Sequence, residues 1–335
     1  MSQKPILPLA LTMGDPAGCG PAITAAAWRQ LRAEPGLAFY AIGAPGLYTS
    51  SVPVREIASP DEASAAFADA LPVFALTDVP DIRAGAPNAD AAPAIIRSIA
   101  LATSHALDGL AGGIVTNPIN KALLYGAGFA YPGHTEYVAH LCAEPHAKPP
   151  SPVMMLVGGG LRVALATIHM PLMQVGKALT VSGLVELGQI VAQAMTRDFG
   201  IPAPRLAFSG LNPHAGEDGT IGQEEITIIN PAAHALRLAG INISDARPGD
   251  TVFAEALSGA YDAVIAMTHD QGLIPVKTLD FWGGVNVTLG LPVVRTSPDH
   301  GTAYDAAAAG TTRPDSLIAA LRLAAAMATA RNRSA

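Results

Sequence analysis

What most constrains this chain is a recurring unit: a short apolar run stopped by a polar turn that carries glycine or proline. The run 263–267 stops at Thr268-His269-Asp270-Gln271-Gly272, which cannot continue a core strand. The run 161–167 ends at Ile168-His169, and 206–209 leads into Gly210-Leu211-Asn212-Pro213-His214-Ala215-Gly216-Glu217. Such runs, alternating with helix-period segments, predict an α/β fold with a mixed sheet. In open α/β sheets, ligands bind at the rim beyond the carboxyl ends of the strands. If the three strands are parallel, His169, His214 and His269 gather on that rim. Three neutral imidazoles around an open position suit a divalent metal. Alternatively, each histidine hydrogen-bonds the end of its own strand. No H-x-x-x-H motif decides between the two.

Half of the 335 residues are apolar, so a large core is available, and the length suggests two domains. Only 14% of residues are charged, the net charge is −7, and no Lys/Arg run occurs. This excludes a general nucleic-acid binder but leaves room for an anionic substrate, which needs only a few placed cations. Cys19 and Cys142 cannot build a disulfide framework, so the reducing cytoplasm is expected. The N-terminal apolar run is broken by Pro8 and is too short to span a membrane.

Strands are expected at 6–13, 37–42, 73–76, 113–116, 206–209, 263–267, 285–289 and 293–296. The runs 153–157 and 161–167, around Gly158-Gly159-Gly160, read as an antiparallel hairpin. Helices are expected at 22–31, 88–107, from Lys121 to about 125, up to 141, at 180–199 with Thr180 or Ser182 as cap, and at 315–330. A helix at 223–239 should bend at Pro231, and Asp250-Thr251 should cap a short one ending at 257. The turn Gly14-Asp15-Pro16-Ala17-Gly18-Cys19-Gly20-Pro21 can cradle a phosphate or fix a tight crossover. It is no dinucleotide fingerprint, because Ile23 stands at the third glycine position. Lys121 is either an anion contact or a solvated lysine. His105, His140, His146 and His234 read as structural or solvated.

Several stretches together resemble the 4-hydroxythreonine-4-phosphate dehydrogenase family of vitamin B6 biosynthesis and its paralogues. They are MGDPAGCGPAI at 13–23, NPINKALLYGAGFAYPGHTEY at 117–137, MMLVGGGLRVALATIHMPL at 154–172, SGLNPHAGEDGTIGQEEI at 209–226, YDAVIAMTHDQG at 261–272 and GVNVTLGLPVVRTSPDHGTAYDAA at 284–307. They follow the family's order over almost the whole chain. The resemblance implies an isocitrate/isopropylmalate dehydrogenase-like fold with two α/β/α subdomains, a mixed sheet and an interdomain cleft. The first subdomain would be 1–128 plus 302–335, and the second, with the metal site and dimer contacts, 129–301.

The resemblance also implies a homodimer whose active site lies at the interface. It implies one divalent metal (zinc, magnesium, manganese or cobalt) on His169, His214 and His269, and a small phosphorylated hydroxy-acid substrate at His134, Thr135, Lys277, Asn286 and Arg295. NAD or NADP would bind at Asp299, His300, Gly301, Thr302 and Asp305, with His300 against the adenine. The implied reaction oxidises and decarboxylates 4-phosphohydroxy-threonine to 3-amino-2-oxopropyl phosphate. Lys277, Asp250 and His134 are candidates for the general base. The family's usual glutamate after GxGP is Ala22 here, its tyrosine before the third histidine is Thr268, and its arginine in the stretch LIPVKTLDFWGGVN is Gly283. These departures keep open a paralogue acting on D-threonate 4-phosphate or an aromatic cis-dihydrodiol. From other classes, the histidines with Asp270 and Asp250 would also suit a metal-dependent hydrolase, and a binding protein without turnover is conceivable on the same fold.

Overall fold

The computed structural model describes residues 6–144 and 147–334, so Met1–Pro5 and His146 lie outside the described residues. In chain order the strands are β1 (Leu9–Thr12), β2 (Phe39–Gly43), β3 (Val54–Ile57), β4 (Leu71–Ala75), β5 (Ile114–Thr116), β6 (Val153–Gly158), β7 (Leu161–Leu165), β8 (Leu206–Ser209), β9 (Ile243–Arg247), β10 (Ala263–Ala266), β11 (Val285–Leu289) and β12 (Arg295–Pro298). The chain forms two compact units, one from 6–152 with 291–333, the other from 153–290. The structure thus moves both sequence-based boundaries. The segment 129–152 belongs to the first unit because Phe129, Tyr137, Val138 and Ala139 are buried in its core. The segment 291–301 belongs there because β12 pairs with β5.

In the first unit the strand order is β3-β4-β2-β1-β5-β12, every pair parallel. Parallel neighbours need crossovers, and the helix Gly20–Leu31 supplies the one from β1 to β2. The helix Ala92–Leu107 buries Ala94, Ile95, Ser98, Ile99 and Ala102, the i, i+3/i+4 stripe of a core-facing helix, against Tyr40, Ile42 and Ile114. Its expected start at Asn88 is instead a short 3₁₀ turn, Ala89–Ala91, which Asn88 caps through Asp90 N–H at 2.9 Å. Of the structural histidines, His105 is buried and bonds the Tyr40 hydroxyl at 2.9 Å, while His140 and His234 are exposed.

In the second unit the order is β11-β6-β7-β10-β8-β9. The expected hairpin β6–β7 is antiparallel, as is β11–β6, whereas β7, β10, β8 and β9 run parallel. The sheet is therefore mixed. Thr180 caps Val181–Arg197 through Gly183 N–H at 3.1 Å. The helix expected at 223–239 is interrupted, but as a π-type turn, Glu225–Ile229, followed by Asn230–Leu238 with Pro231 in its first turn, where proline costs nothing.

Three expectations are corrected. The polar stretch after β10 is not a free turn: His269–Leu279 is a helix, capped by the Thr268 hydroxyl on Gln271 N–H at 3.3 Å. The strand expected at 293–296 lies at Arg295–Pro298, because its ladder with β5 sets Arg295 opposite Ile114. Strands β3 and β9 were not anticipated; they are short, half-exposed edge strands with little apolar signal. Among the described residues, no single helix is long and apolar enough to cross a membrane. Cys19 and Cys142 are free and buried.

Ser98 ties the first unit's helix to its sheet. Its buried hydroxyl accepts from Met13 N–H at 3.1 Å and donates to Ile42 C=O at 2.7 Å. Ser98→Ala strands both groups away from water and should cost roughly 1–3 kcal/mol. Urea unfolding checks this, as a lower midpoint at unchanged slope.

Candidate active site

Parallel pairing places the second unit's chemistry. β7 and β10 are in register at Val163–Val264 and Leu165–Ala266. The match continues past the strands, with Ala166 N–H on Ala266 C=O at 2.8 Å and the Thr167 hydroxyl on Met267 C=O at 2.6 Å. Two residues further on each chain, the rings of His169 and His269 stand side by side, their centroids 5.6 Å apart. Gly272 lets the His269 helix lie close on β7, since a Cβ there would collide with Leu165. His269 Nδ1 is 2.8 Å from an Asp270 oxygen, which leaves Nε2 as the ring's ligand nitrogen.

His214 sits beyond β8, exposed, in an unusual turn. Residues His214, Ala215, Gly216, Glu217 and Asp218 all have left-handed backbones, with φ of 53°, 54°, 82°, 42° and 53°. For each of the four with a Cβ this costs roughly 1–2 kcal/mol, so the surroundings must hold the turn. His214 Nδ1 lies 2.6 Å from a Glu217 oxygen, and that partner, with a weaker contribution from Asp250, raises the imidazole's pKa above its ordinary value. Gln271 links the two loops: its side-chain oxygen takes Met267 N–H at 2.8 Å, and its Nε2 donates to Gly210 C=O at 2.7 Å. On the same helix as His269, the Lys277 ammonium lies 5.7 Å from the Phe281 ring centre. Asn286 is on β11 opposite Leu156, with its amide oxygen buried and unpartnered.

Among the described residues, no three His, Cys, Asp or Glu side chains come close enough together to hold a metal within this chain. The structure brings His169 and His269 together and leaves His214 outside that pair. Two adjacent imidazoles, one oriented by a carboxylate at Nδ1, form a partial donor set that suits a divalent ion.

The first unit gathers a cationic cluster around a buried arginine. Arg295, only 3% exposed, donates from Nη2 to the Thr116 hydroxyl at 2.8 Å and from Nη1 to the Thr135 hydroxyl at 3.4 Å. Burial lowers its pKa to about 10, against a smaller raising influence from Glu136, so the guanidinium stays charged at neutral pH. His134 and Thr135 open the helix His134–Leu141. Burial, then Arg295, then Lys121 push the His134 pKa well below its ordinary value, and its Nε2 is buried without a partner. A Cβ on Gly133 would sit 3.0 Å from a Glu136 oxygen and 3.1 Å from Lys121 Nζ, so that ammonium stands over the start of the helix. A buried arginine, hydroxyls, a helix N-terminus and a nearby lysine are chemistry that suits an anion. Lys121 was weighed from the sequence only as an open alternative; Thr116 gave no signal at all, being an ordinary strand residue.

The segment expected to meet the cofactor, Asp299 to Asp305, is an exposed loop running into the helix Tyr304–Ala309. The turn after β1 braces it. Cys19 N–H donates to Thr302 C=O at 2.8 Å, and the Tyr304 hydroxyl donates to Asp15 at 2.5 Å. Burial and Asp15 raise the Tyr304 pKa to about 12. Asp299 N–H is held by the Ser316 hydroxyl at 3.0 Å, and His300 Nδ1 lies 3.0 Å from Gly301 C=O. His300, Gly301 and Asp305 remain exposed, which suits stacking and hydrogen bonding to a nucleoside.

The family model described as "Pyridoxal phosphate biosynthetic protein PdxA" matches residues 37–324. The 4-hydroxythreonine-4-phosphate dehydrogenase of Caulobacter vibrioides is 51% identical over 97% of this chain and 98% of its own length. The crystal structure of the 4-hydroxythreonine-4-phosphate dehydrogenase from Klebsiella pneumoniae matches with a TM-score of 0.86 at 39% identity, covering 96% of this chain and 99% of that one. A terephthalate 1,2-cis-dihydrodiol dehydrogenase from Burkholderia xenovorans LB400 matches with a TM-score of 0.66 at 26% identity, covering 96% and 98%.

His134 gives a pH test. The folded protein holds it neutral, while the unfolded chain protonates it below its ordinary value of 6.5. The unfolded state then binds more protons, so the stability that His134 contributes is present above that value and is lost as pH falls below it. Urea unfolding at about pH 7.5 and about pH 5.5 should show a smaller loss for His134→Gln than for the wild type.

Proposed function

This chain belongs to the PdxA family of pyridoxal phosphate biosynthetic proteins, an oxidoreductase family, and from that premise we propose that it oxidises and decarboxylates 4-phosphohydroxy-threonine with NAD or NADP. The observation that carries the substrate class is the buried Arg295 with Thr135 and the unpartnered His134 Nε2, a cradle that favours a dianion over a neutral group. His134 stays neutral there, so it can donate a hydrogen bond without adding a proton to the balance.

The chain's own residues divide the remaining work. His169 and His269, with His214, would hold one divalent ion (zinc, magnesium, manganese or cobalt), which when bound would acidify the substrate hydroxyl and polarise the carbonyl formed from it. Lys277 and Asn286 orient the hydroxy-acid end. Lys277 or Asp250 takes the hydroxyl proton. Asp299, His300, Gly301, Thr302 and Asp305 bind the nucleotide, which takes up the hydride. Transfer of the C3 hydride to the nucleotide yields a β-keto acid, whose carboxylate departs as CO₂, and the enolate left behind takes up a proton at C2 to give 3-amino-2-oxopropyl phosphate.

We further read the active enzyme as a cytoplasmic homodimer that completes its metal set from both copies. In support, among the described residues one chain brings together no more than the His169–His269 pair, and large apolar residues further along both segments are exposed: Leu172 at 74%, Met173 at 88%, Phe281 at 64% and Trp282 at 51%. Large apolar side chains this exposed suit an interface. Sedimentation should give a dimer, and a fully active monomer would overturn this reading.

A second reading, oxidation of an aromatic cis-dihydrodiol, draws on the 26%-identical relative of that name and on Thr268 and Gly283. Arg295 separates the two. Losing two charge-assisted hydrogen bonds to phosphate should cost about 3–6 kcal/mol, or roughly two to four decades in kcat/KM. The comparison is 4-phosphohydroxy-threonine, D-threonate 4-phosphate and their dephosphorylated forms, with wild type and Arg295→Ala, folding being checked by circular dichroism. Arg295→Ala should lose far more on phosphorylated substrates. Equal wild-type rates with and without phosphate would refute the phosphate reading in favour of the diol.

A further inference from the structure

We propose that Glu225 is a positioning residue that clamps the left-handed turn His214–Asp218 and so presents the His214 imidazole; the proposal rests on the reading of His214 as a metal ligand. A turn of five left-handed residues, only one of them glycine, does not persist on local preference. Something outside it must fix its entry and its middle.

Glu225 does both. It is 1% exposed, and one carboxylate oxygen accepts Leu211 N–H and Asn212 N–H, each at 2.8 Å. The other accepts Asn212 Nδ2 at 2.9 Å. Those two residues precede the turn with only Pro213 between, and their backbone donors point inward to a single acceptor. The second oxygen also lies against the turn's midpoint, since a Cβ on Gly216 would come within 2.8 Å of it. Glu224 adds one bond, accepting from Asn212 Nδ2 at 2.8 Å. Glu225 begins the π-type turn Glu225–Ile229, whose Asn230 N–H reaches back to Glu225 C=O. That extra residue is where a helix departs from its ordinary winding, a feature concentrated at functional sites.

The chemistry makes the charge specific. A carboxylate offers only acceptors, and three donors converge on it. Glutamine would turn an NH₂ toward at least one of them and expel it. Glu225 therefore acts through the loop and does not touch substrate. A merely structural glutamate would lower overall stability and leave the folded protein's metal affinity untouched.

The test uses the metal-free full-length protein, Co²⁺ as the probe, and Glu225→Gln, Glu225→Asp and His214→Ala. Amide hydrogen exchange should quicken in 211–222 of Glu225→Gln and stay unchanged in the strands. Calorimetric Co²⁺ titration should show affinity lower by about 10- to 100-fold, the usual effect of removing a group that orients a ligand. Glu225→Asp, which keeps the carboxylate on a shorter stem, should recover part of both effects and covers the case that Glu225→Gln does not fold. Native exchange in 211–222 together with wild-type Co²⁺ affinity in Glu225→Gln overturns the proposal. If His214→Ala binds Co²⁺ like the wild type, the ligand reading fails by itself, and the exchange measurement still decides whether Glu225 holds the turn.

Discussion

The parallel register of β7 with β10 is the constraint on which the second unit's chemistry depends. Each ladder bond contributes only about 1 kcal/mol net. Register is fixed more strongly, because both faces of these strands are buried and a one-residue slip would exchange the Val163, Leu165, Val264 and Ala266 set with Ala164 and Ile265 between differently packed faces. The Thr167–Met267 bond carries that register one step beyond the sheet, to the point where both chains leave it. His169 and His269 are neighbours for that reason, although 100 residues separate them. The Gln271 side chain then extends the same order to Gly210, the entry of the His214 loop.

The first unit solves a different problem. Burying Arg295 in a sheet is unfavourable unless its donors are met, and two threonine hydroxyls and the raising influence of Glu136 are among the groups that meet them. Hydroxyls are weak partners for a guanidinium. A guanidinium that stays charged in a buried site favours an arriving anion. Neutral His134 completes the cradle without repelling that anion's counter-charge. The Asp15–Tyr304 and Cys19–Thr302 bonds show how the turn after β1, read from sequence as either a phosphate cradle or a crossover, here fastens the neighbouring loop.

Much of this was visible in the residues. Strand-end histidines, the Gly158-Gly159-Gly160 hairpin and the Thr180 cap follow from apolar runs and turn chemistry, and the structure reproduces them. The His269 helix was hidden because Gly272 and Pro275 both read as breakers. Gly272 is there for close packing on Leu165, and Pro275 is accommodated within the helix. Edge strands β3 and β9 carry too few apolar residues to signal themselves. The left-handed turn was beyond sequence reasoning, since only Gly216 of its five residues advertises a positive φ. Glu225 was hidden for the complementary reason: its role comes from tertiary hydrogen bonds to residues 13 and 14 positions away. The reading of His169, His214 and His269 as ligands starts from their strand-end positions and is favoured by the family resemblance, and geometry adds the adjacency of two of them.

The central claim is a metal-assisted, nicotinamide-linked oxidation of a phosphorylated hydroxy acid. The most direct measurement follows reduced nicotinamide, CO₂ and inorganic phosphate together, with 4-phosphohydroxy-threonine as substrate, before and after chelation and re-addition of Mg²⁺ or Zn²⁺. The account predicts one reduced nicotinamide and one CO₂ per substrate consumed, both abolished by chelation and restored by metal, with no phosphate released. Release of phosphate without reduced nicotinamide would contradict it and identify a hydrolase.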